Sequence, residues 1–173
     1  INIMESYQLE SEDFKRIYAK LFDKAKLMGN WLRAMIHPDG HIAYFNDSAL
    51  NVAAAPASLF SYIDGLNYHD SRPEMCCREL ESSGYFRLSN EKGSVTALLD
   101  VGPIGPDYLL GHAHADTLSF ELSVHGQRVV VNGGTSTYEE GQQRILERGT
   151  SSHSTVEIDH LDSSEVWSSF RVA

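Results

Sequence analysis

Residues 111–124, GHAHADTLSFELSV, govern the predictions for both the fold and the site. His112, His114 and Asp116 alternate with small residues, and the same alternation then continues in apolar side chains. The apolar members are Leu118, Phe120, Leu122 and Val124. Successive side chains of a strand point to opposite faces of a sheet, so this period of two predicts one strand with all these side chains on one face. The polar residues would then lie at the mouth of a strand whose apolar part continues into the core.

The sequence on both sides of this strand predicts further short strands joined by tight turns. Two hairpins are expected, GYFRLS and SVTALLDV around NEKG (84–101), and TLSFELSV and RVVVN around HGQ (117–132). A short helix around EEGQQRILER (139–148) precedes two more predicted strands, STVEI (154–158) and VWSSFRVA (166–173). Strands at this spacing favour an antiparallel β-sandwich over a parallel α/β sheet.

The first part of the chain has a helical pattern instead. From Ser11 to Ile36 apolar residues recur at spacings of three and four, and Ser11 is placed to cap the helix. Residues 51–66 predict a second, more apolar helix, with Pro56 in its first turn. The predicted fold class is therefore α+β, with helices followed by an antiparallel sandwich.

Composition excludes several classes of function. The chain has 173 residues, 42% of them hydrophobic, which is typical of one globular domain. Its net charge of −10 argues against a surface for nucleic acid or anionic membranes, which would need a basic stripe. No apolar run is long enough to span a bilayer. Cys76 and Cys77 are adjacent, which makes an ordinary disulfide within the chain geometrically unfavourable.

Several polar residues fall at the ends of predicted strands. Asn132 ends a hydrophobic strand, and His153 begins another, so both could converge with the HAHAD histidines on one rim of the sandwich. Each residue also has a structural interpretation. Two histidines two positions apart are weak evidence for a metal site, and they are equally typical of hydrogen-bonded histidines at the edge of a sheet. Tyr138 is commonly half-buried packing.

Arg144 and Arg148 lie one turn apart on the predicted short helix. Such arginines most often form a solvated face with neighbouring acidic residues, in this case Glu140 and Glu147. It is the conjunction of His, Asn, Tyr and Arg along the chain that favours a functional site.

The ordered motifs HAHADTLSF, VNGGTSTY, SSHSTVEID and SSEVWSSFRV resemble the heparinase II/III-like polysaccharide lyase family. WLRAMIHPDGHIAYFNDSA (31–49) is similar to the last part of the α/α toroid that precedes the β-sandwich in that family. The resemblance implies a helical remnant of the toroid at 1–70, a linker at 71–83 and a truncated antiparallel sandwich at 84–173. We therefore expect the chain to be a piece of a longer protein.

The resemblance also implies chemistry. Such lyases cleave uronic-acid polysaccharides by β-elimination, and His112 matches the position of the family's active-site histidine. Tyr138 matches a tyrosine near the cleft, and Arg144 is placed to pair with a substrate carboxylate. The family's main catalytic tyrosine and its toroid companions would lie upstream of Ile1, so this chain alone is expected to be inactive.

A zinc site is implied as well, with His114 and His153 as two of its ligands. The third ligand in the family pattern is an aspartate, where this chain has Asn132. A neutral amide oxygen is a much poorer zinc ligand than a carboxylate, so the expected metal site is weakened.

Two functions from different classes follow. In the first, the chain is part of a lyase acting on an acidic polysaccharide or oligosaccharide. In the second, it belongs to a non-catalytic carbohydrate-binding or glycan-assembly protein that keeps the lyase architecture, which Asn132 favours. The resemblance implies a periplasmic or secreted location, and it leaves the oligomeric state open.

Overall fold

The computed structural model describes residues 11–66, 76–106 and 108–172. Within these ranges, two helices precede a five-stranded antiparallel sheet, a short helix and a two-stranded ladder. The helices are α1 (Glu12–Ala34), α2 (Pro56–Gly65) and α3 (Gln142–Arg148). The strands are β1 (Cys77–Leu80), β2 (Tyr85–Ser89), β3 (Val95–Asp100), β4 (Phe120–Val124), β5 (Gln127–Val130), β6 (Val166–Ser168) and β7 (Arg171–Val172). The predicted α+β class, with helices followed by an antiparallel sheet, is confirmed.

Helix α1 forms where the sequence predicts it, and α2 lies within the predicted stretch 51–66 but is shorter. The Ser11 side chain accepts a hydrogen bond from the Phe14 backbone N–H at 3.3 Å and so caps α1. The second helix starts at Pro56, five residues later than predicted, because a proline needs no hydrogen-bond partner in the first turn. Gly29 lets the helices approach closely, since a Cβ there would lie 2.8 Å from the Ile63 side chain. No helix in the described ranges is long and apolar enough to cross a membrane.

The large sheet has the strand order β1-β2-β3-β4-β5, and every neighbouring pair is antiparallel. Both predicted hairpins are present as β2–β3 and β4–β5. The sheet nevertheless begins earlier than expected, because β1 lies inside the stretch assigned to the 71–83 linker. Residues 71–75 of that linker lie outside the described residues.

The burial pattern of β4 reverses the predicted face. Leu118 is 64% exposed with a positive φ of 64°, while Glu121 is fully buried. A turn at residues 116–119, closed by Ser119 N–H donating to the Asp116 carbonyl, separates the histidines from the strand. The prediction of one continuous strand with Leu118, Phe120 and Leu122 in the core is therefore wrong.

Two other predicted strands are also corrected. Residues 154–158 form no ladder, because the Ser154 and Thr155 hydroxyls bond instead to the carbonyls of Phe120 and Thr117. The predicted strand 166–173 is instead the hairpin β6–β7 over its described residues, 166–172.

The inner face of the sheet packs against the segment that follows α1. A hydrophobic core of Met35, Ala43, Phe45 and Leu98 joins the two, with Leu80 and Tyr85 packed against it. Polar residues share this face with the core. Glu121 accepts hydrogen bonds from the Tyr44 N–H at 2.6 Å, the Asn132 N–H at 3.3 Å and Arg128 at 3.0 Å. This buried carboxylate therefore ties the helical part of the chain to β4 and β5.

Glu121→Ala should lower the free energy of unfolding by about 3 to 5 kcal/mol, because it leaves the N–H groups of Tyr44 and Asn132 without an acceptor and the fully buried His37 ring without its neighbouring carboxylate. Arg128 keeps its pairing with Asp39. Urea denaturation measures the change. Exposed Glu91→Ala is the control and should alter stability by no more than about 0.5 kcal/mol. Equal effects of the two substitutions would contradict this role of Glu121.

Candidate functional site

Asp47 is the centre of the polar cluster. Its carboxylate is 92% buried and lies 2.7 Å from His112 Nδ1 and 2.7 Å from His114 Nε2. The Arg144 guanidinium donates to both carboxylate oxygens, with Nη2 at 2.7 Å from Oδ2. Burial alone would raise the pKa of Asp47, but the hydrogen bonds from these three side chains hold it well below its usual range. Asp47 is therefore a permanent anion that organises its neighbours.

The loop that carries Asp47 is held by the preceding residue. Asn46 donates its backbone N–H to Asp116 Oδ2 at 3.1 Å and its side-chain amide to Asp100 Oδ2 at 3.2 Å. Its side-chain oxygen accepts the His114 N–H at 3.1 Å. Asn46 adopts a positive φ of 50°, which asparagine tolerates better than most residues. These bonds place the Asp47 carboxylate in front of the HAHAD segment.

Arg144 is fully buried, so the expectation of a solvated arginine face is wrong. Besides Asp47, it donates to Thr135 Oγ1 at 2.9 Å and to the Ser169 carbonyl at 3.1 Å. Arg148, also fully buried, donates to the carbonyls of Ala113 and Ser168. Both arginines therefore bind internal groups of this chain. The carbonyls of Ser168 and Ser169, at the turn between β6 and β7, accept hydrogen bonds from them.

His112 is the solvent-facing member of the cluster, with 70% of its side chain exposed. Because a carboxylate only accepts hydrogen bonds, Asp47 selects the tautomer with the hydrogen on Nδ1. The lone pair of the neutral ring is then on Nε2, away from Asp47. His112 is thus an oriented base at the edge of a buried polar network.

His114 and His153 form a second, buried pair behind it. His114 Nδ1 lies 3.2 Å from His153 Nε2, and His153 Nδ1 lies 2.6 Å from Asn132 Oδ1. Burial lowers the pKa of both rings, that of His153 to about 4 with a further contribution from His114. Both rings are therefore neutral at pH 7.

The outer partners of this pair also decide its tautomers. Asp47 accepts from His114 Nε2, and the Asn132 oxygen accepts from His153 Nδ1. Two ring lone pairs then face each other across 3.2 Å. Two imidazoles on one tetrahedral zinc, at about 2.0 to 2.1 Å each, would be separated by nearly this distance. The histidine pair thus fits a cation.

Asn132 does not complete that set. Its oxygen bonds to the far ring nitrogen of His153, and its amide donates to Ser119 Oγ at 3.2 Å. Among the described residues no group of three or more His, Cys, Asp or Glu side chains is arranged to hold a metal. A cation at the histidine pair would therefore have two protein nitrogens as ligands and Asn132 as an outer partner.

Tyr138 and the VNGGT loop close the cluster from the side. Tyr138 Oη donates to the Asp47 carbonyl at 2.9 Å, and Thr135 N–H donates to the Ser48 carbonyl at 3.0 Å. Gly134, with φ +58°, permits this approach, because a Cβ there would lie 2.1 Å from the Ser48 oxygen. The Tyr138 ring is 41% exposed. Tyr138 and His112 both contact Asp47, at its carbonyl and its carboxylate respectively.

Two cavities meet at His112. The acidic cavity, of about 780 Å³, has Glu79, Glu81 and Asp100 in its wall. The aromatic cavity, of about 770 Å³, has Trp167, Phe170 and Arg171 in its wall. Tyr108, Leu109 and His112 belong to both walls. A ligand that lies across His112 could therefore occupy both cavities.

The structure brings together all six residues selected from the sequence. These are His112, His114, Asn132, Tyr138, Arg144 and His153. Sequence reasoning missed Asp47, although it lies in the quoted stretch 31–49. The available signal was the polar pair Asn46 and Asp47, which directly follows the apolar run IAYF (42–45). The buried position of Arg144 places its guanidinium against Asp47, so direct contact with a substrate is not favoured.

Comparison with known proteins bears on this geometry. The model of the family described as Heparinase II/III-like, C-terminal, matches residues 72–173. No curated protein matches the chain.

Solved structures resemble the chain as well. A crystal structure of heparinase III superposes with a TM-score of 0.66 at 18% identity and covers 93% of this chain. A heparinase III gene product with methylated lysines gives 0.58 at 21% identity and covers 91% of this chain. Heparan sulfate lyase HepC from Pedobacter heparinus gives 0.53 at 21% identity and covers 75% of this chain. The chain spans 29%, 26% and 23% of these three structures, and the likeness supports the predicted combination of toroid helices with a β-sandwich.

Asp47→Ala should destabilise the protein by about 3 to 5 kcal/mol, because it leaves the fully buried Arg144 charge without its carboxylate. Chemical denaturation measures the loss. The double variant with Arg144→Met should recover part of it, since the unpaired buried charge is then removed. A double variant that is less stable than the sum of both single changes would contradict the pairing.

Asp116→Asn should remove a pH dependence of stability. Burial, with a contribution from Asp100, raises the pKa of Asp116 from 3.8 to about 7. The folded state therefore holds this proton more tightly than the unfolded state, and stability should fall as the pH rises from about 4 to 7. Denaturation at pH 5 and pH 8 measures the difference, which should shrink in Asp116→Asn. The exposed Asp159→Asn is the control, and an unchanged difference in Asp116→Asn would refute the assignment.

Proposed function

Because the chain belongs to the heparinase II/III-like family, we propose that it forms part of a polysaccharide lyase that cleaves uronic-acid glycans by β-elimination. One observation carries the proposal. His112 is exposed, oriented by the buried Asp47, and shared by the walls of two cavities. A buried carboxylate that fixes an exposed imidazole is a common arrangement for proton transfer.

The reaction needs a base at C5 of the uronate and an acid at the leaving oxygen. The C5–H bond breaks, its electron pair forms the C4–C5 double bond, and the C4–O bond breaks with its electrons on the departing oxygen, which takes a proton. In this proposal His112 Nε2 would take a proton through its lone pair or, when it already carries a proton, donate a hydrogen bond to the uronate carboxylate. Tyr138 contributes an exposed ring, and its hydroxyl is held on the Asp47 carbonyl.

Arg144 has a positioning role in this scheme. Its fork on the Asp47 carboxylate sets the angle at which Asp47 meets His112. The glycan would meet His112 and Tyr138, while the guanidinium remains behind them. The chain spans 29%, 26% and 23% of the three similar structures, so this proposal includes further groups outside the given sequence, and the chain alone should give no turnover.

We also propose that His114 and His153 hold Zn²⁺ as a structural ion. When bound, zinc would brace the loop before β4 against the start of the 153–158 segment, and no chemical step is assigned to it. The facing lone pairs of the two rings, 3.2 Å apart, support this assignment.

The zinc assignment predicts metal uptake that depends on the histidine pair. Full-length protein dialysed against Zn²⁺ should keep one equivalent, as measured by elemental analysis, and His153→Ala should lose it. Exposed His160→Ala is the control and should keep the metal. Retention by His153→Ala, or no uptake at all, would rule out the assignment.

The lyase proposal predicts a large kinetic effect at His112. On uronate polymers the full-length protein should form an unsaturated product that absorbs in the ultraviolet, and His112→Ala should lower kcat by about 10²- to 10⁴-fold. Exposed His125→Ala, in the β4–β5 turn, should leave kcat unchanged.

A non-catalytic carbohydrate-binding or glycan-assembly protein is the alternative, and the amide at Asn132 favours it. Glycan binding by the full-length protein without product on any uronate polymer would support the alternative and refute the lyase. A periplasmic or secreted location is part of the lyase proposal.

A further inference from the structure

The aromatic cavity beside His112 holds side chains that the proposed reaction does not use. Trp167 is 57% exposed although it lies in β6, and Tyr108, at the border of the cavity, is 88% exposed. Large aromatic side chains are costly to leave in water, and two of them on one concave surface are typical of a binding site. Indole and phenol rings offer flat apolar faces on which the C–H face of a sugar ring can stack.

The two cavities on either side of His112 differ in the charge of the residues that line them. The wall of the acidic cavity contains Glu79, Glu81 and Asp100, and among the described residues that line it there is no Lys or Arg. The wall of the aromatic cavity contains Arg171 and one carboxylate, Glu140. An anionic sugar unit would therefore be repelled from the acidic cavity and tolerated or attracted in the aromatic one.

The position of Trp167 is set by the buried arginines. Arg148 donates to the carbonyls of Ser168 and Ala113, which connects β6 with the HAHAD segment. Arg144 donates to the Ser169 carbonyl, and its guanidinium lies 5.2 Å from the Phe170 ring centre. The cavity wall is thus attached to the same guanidinium that holds Asp47, and the indole has a defined place relative to His112.

We propose that the aromatic cavity is a saccharide subsite that binds an anionic sugar unit next to His112, with the sugar ring on Trp167 and its acidic group on Arg171. The proposal rests on the proposed glycan substrate and adds the orientation in which the glycan lies across His112. The acidic unit lies on the Trp167 side of His112, and an uncharged unit lies on the side of Glu79 and Glu81.

The test is calorimetric binding to full-length protein in which His112→Ala prevents turnover. The probes are a tetrasaccharide of alternating uronic acid and N-acetylglucosamine, and the same tetrasaccharide with its carboxyl groups reduced to alcohols. Trp167→Ala should weaken binding of both probes about tenfold, because the sugar ring loses the flat apolar face on which it stacks. Trp167→Phe should recover most of the affinity. Phe14→Ala, which removes an exposed aromatic ring of α1, is the matched control and should bind as the parent does.

Arg171→Gln provides a second, independent readout. It should abolish the preference for the charged probe over the reduced one and leave the affinity for the reduced probe unchanged. If Trp167→Ala and Arg171→Gln both bind the probes as tightly as the parent does, the subsite proposal is wrong. If the enzyme with His112 intact nevertheless forms product, the lyase proposal is retained. Binding of neither probe, together with no product, would overturn both proposals.

Discussion

The ion pair between Asp47 and Arg144 is the interaction on which the rest of the site depends. It joins the segment after α1 to α3, which are 97 residues apart in the chain. A buried charge pair is stable only when its remaining hydrogen-bonding capacity is filled, and here two histidines, Thr135 and the Ser169 carbonyl fill it. The exposed His112 has a defined orientation because Asp47, to which it is bonded, is itself held by Arg144.

Polar groups organise this chain to an unusual degree. The fully buried side chains include Arg144, Arg148, His114 and Glu121, alongside a small apolar core around Leu98. Each of these polar groups has partners on a different part of the chain, so the hydrogen bonds define how the helices, the HAHAD segment and the sheet are assembled. A network of this kind gives a single arrangement, because shifting one member leaves several others unsatisfied.

The polar cluster contains a buried pair and an exposed pair of residues, and their exposure determines which role each can have. His114 and His153 are buried, neutral and directed toward each other, which suits a structural role. His112 is exposed in the walls of both cavities, which suits contact with a ligand, and the Tyr138 ring is 41% exposed. The same carboxylate touches both histidines of the HAHAD segment, so the structural and the exposed parts of the cluster are directly connected.

The sequence by itself determined that two helices precede antiparallel strands, both hairpins of the large sheet and the six residues of the cluster, since local patterns of period two and 3.6, turn residues and ordered motifs are encoded in short stretches. It missed β1 and wrongly predicted a strand at 154–158, because the pairing of these segments depends on tertiary contacts. It could not determine that Asp47 is the centre, because the contacts of Asp47 with His112 and Arg144 span 65 and 97 positions. The face of β4 was also decided by tertiary structure. A left-handed Leu118 breaks the alternation after Asp116, and Glu121 rather than Phe120 turns inward because its carboxylate finds Arg128 and backbone donors there. Burial of a charge depends on partners that only the folded chain brings into place.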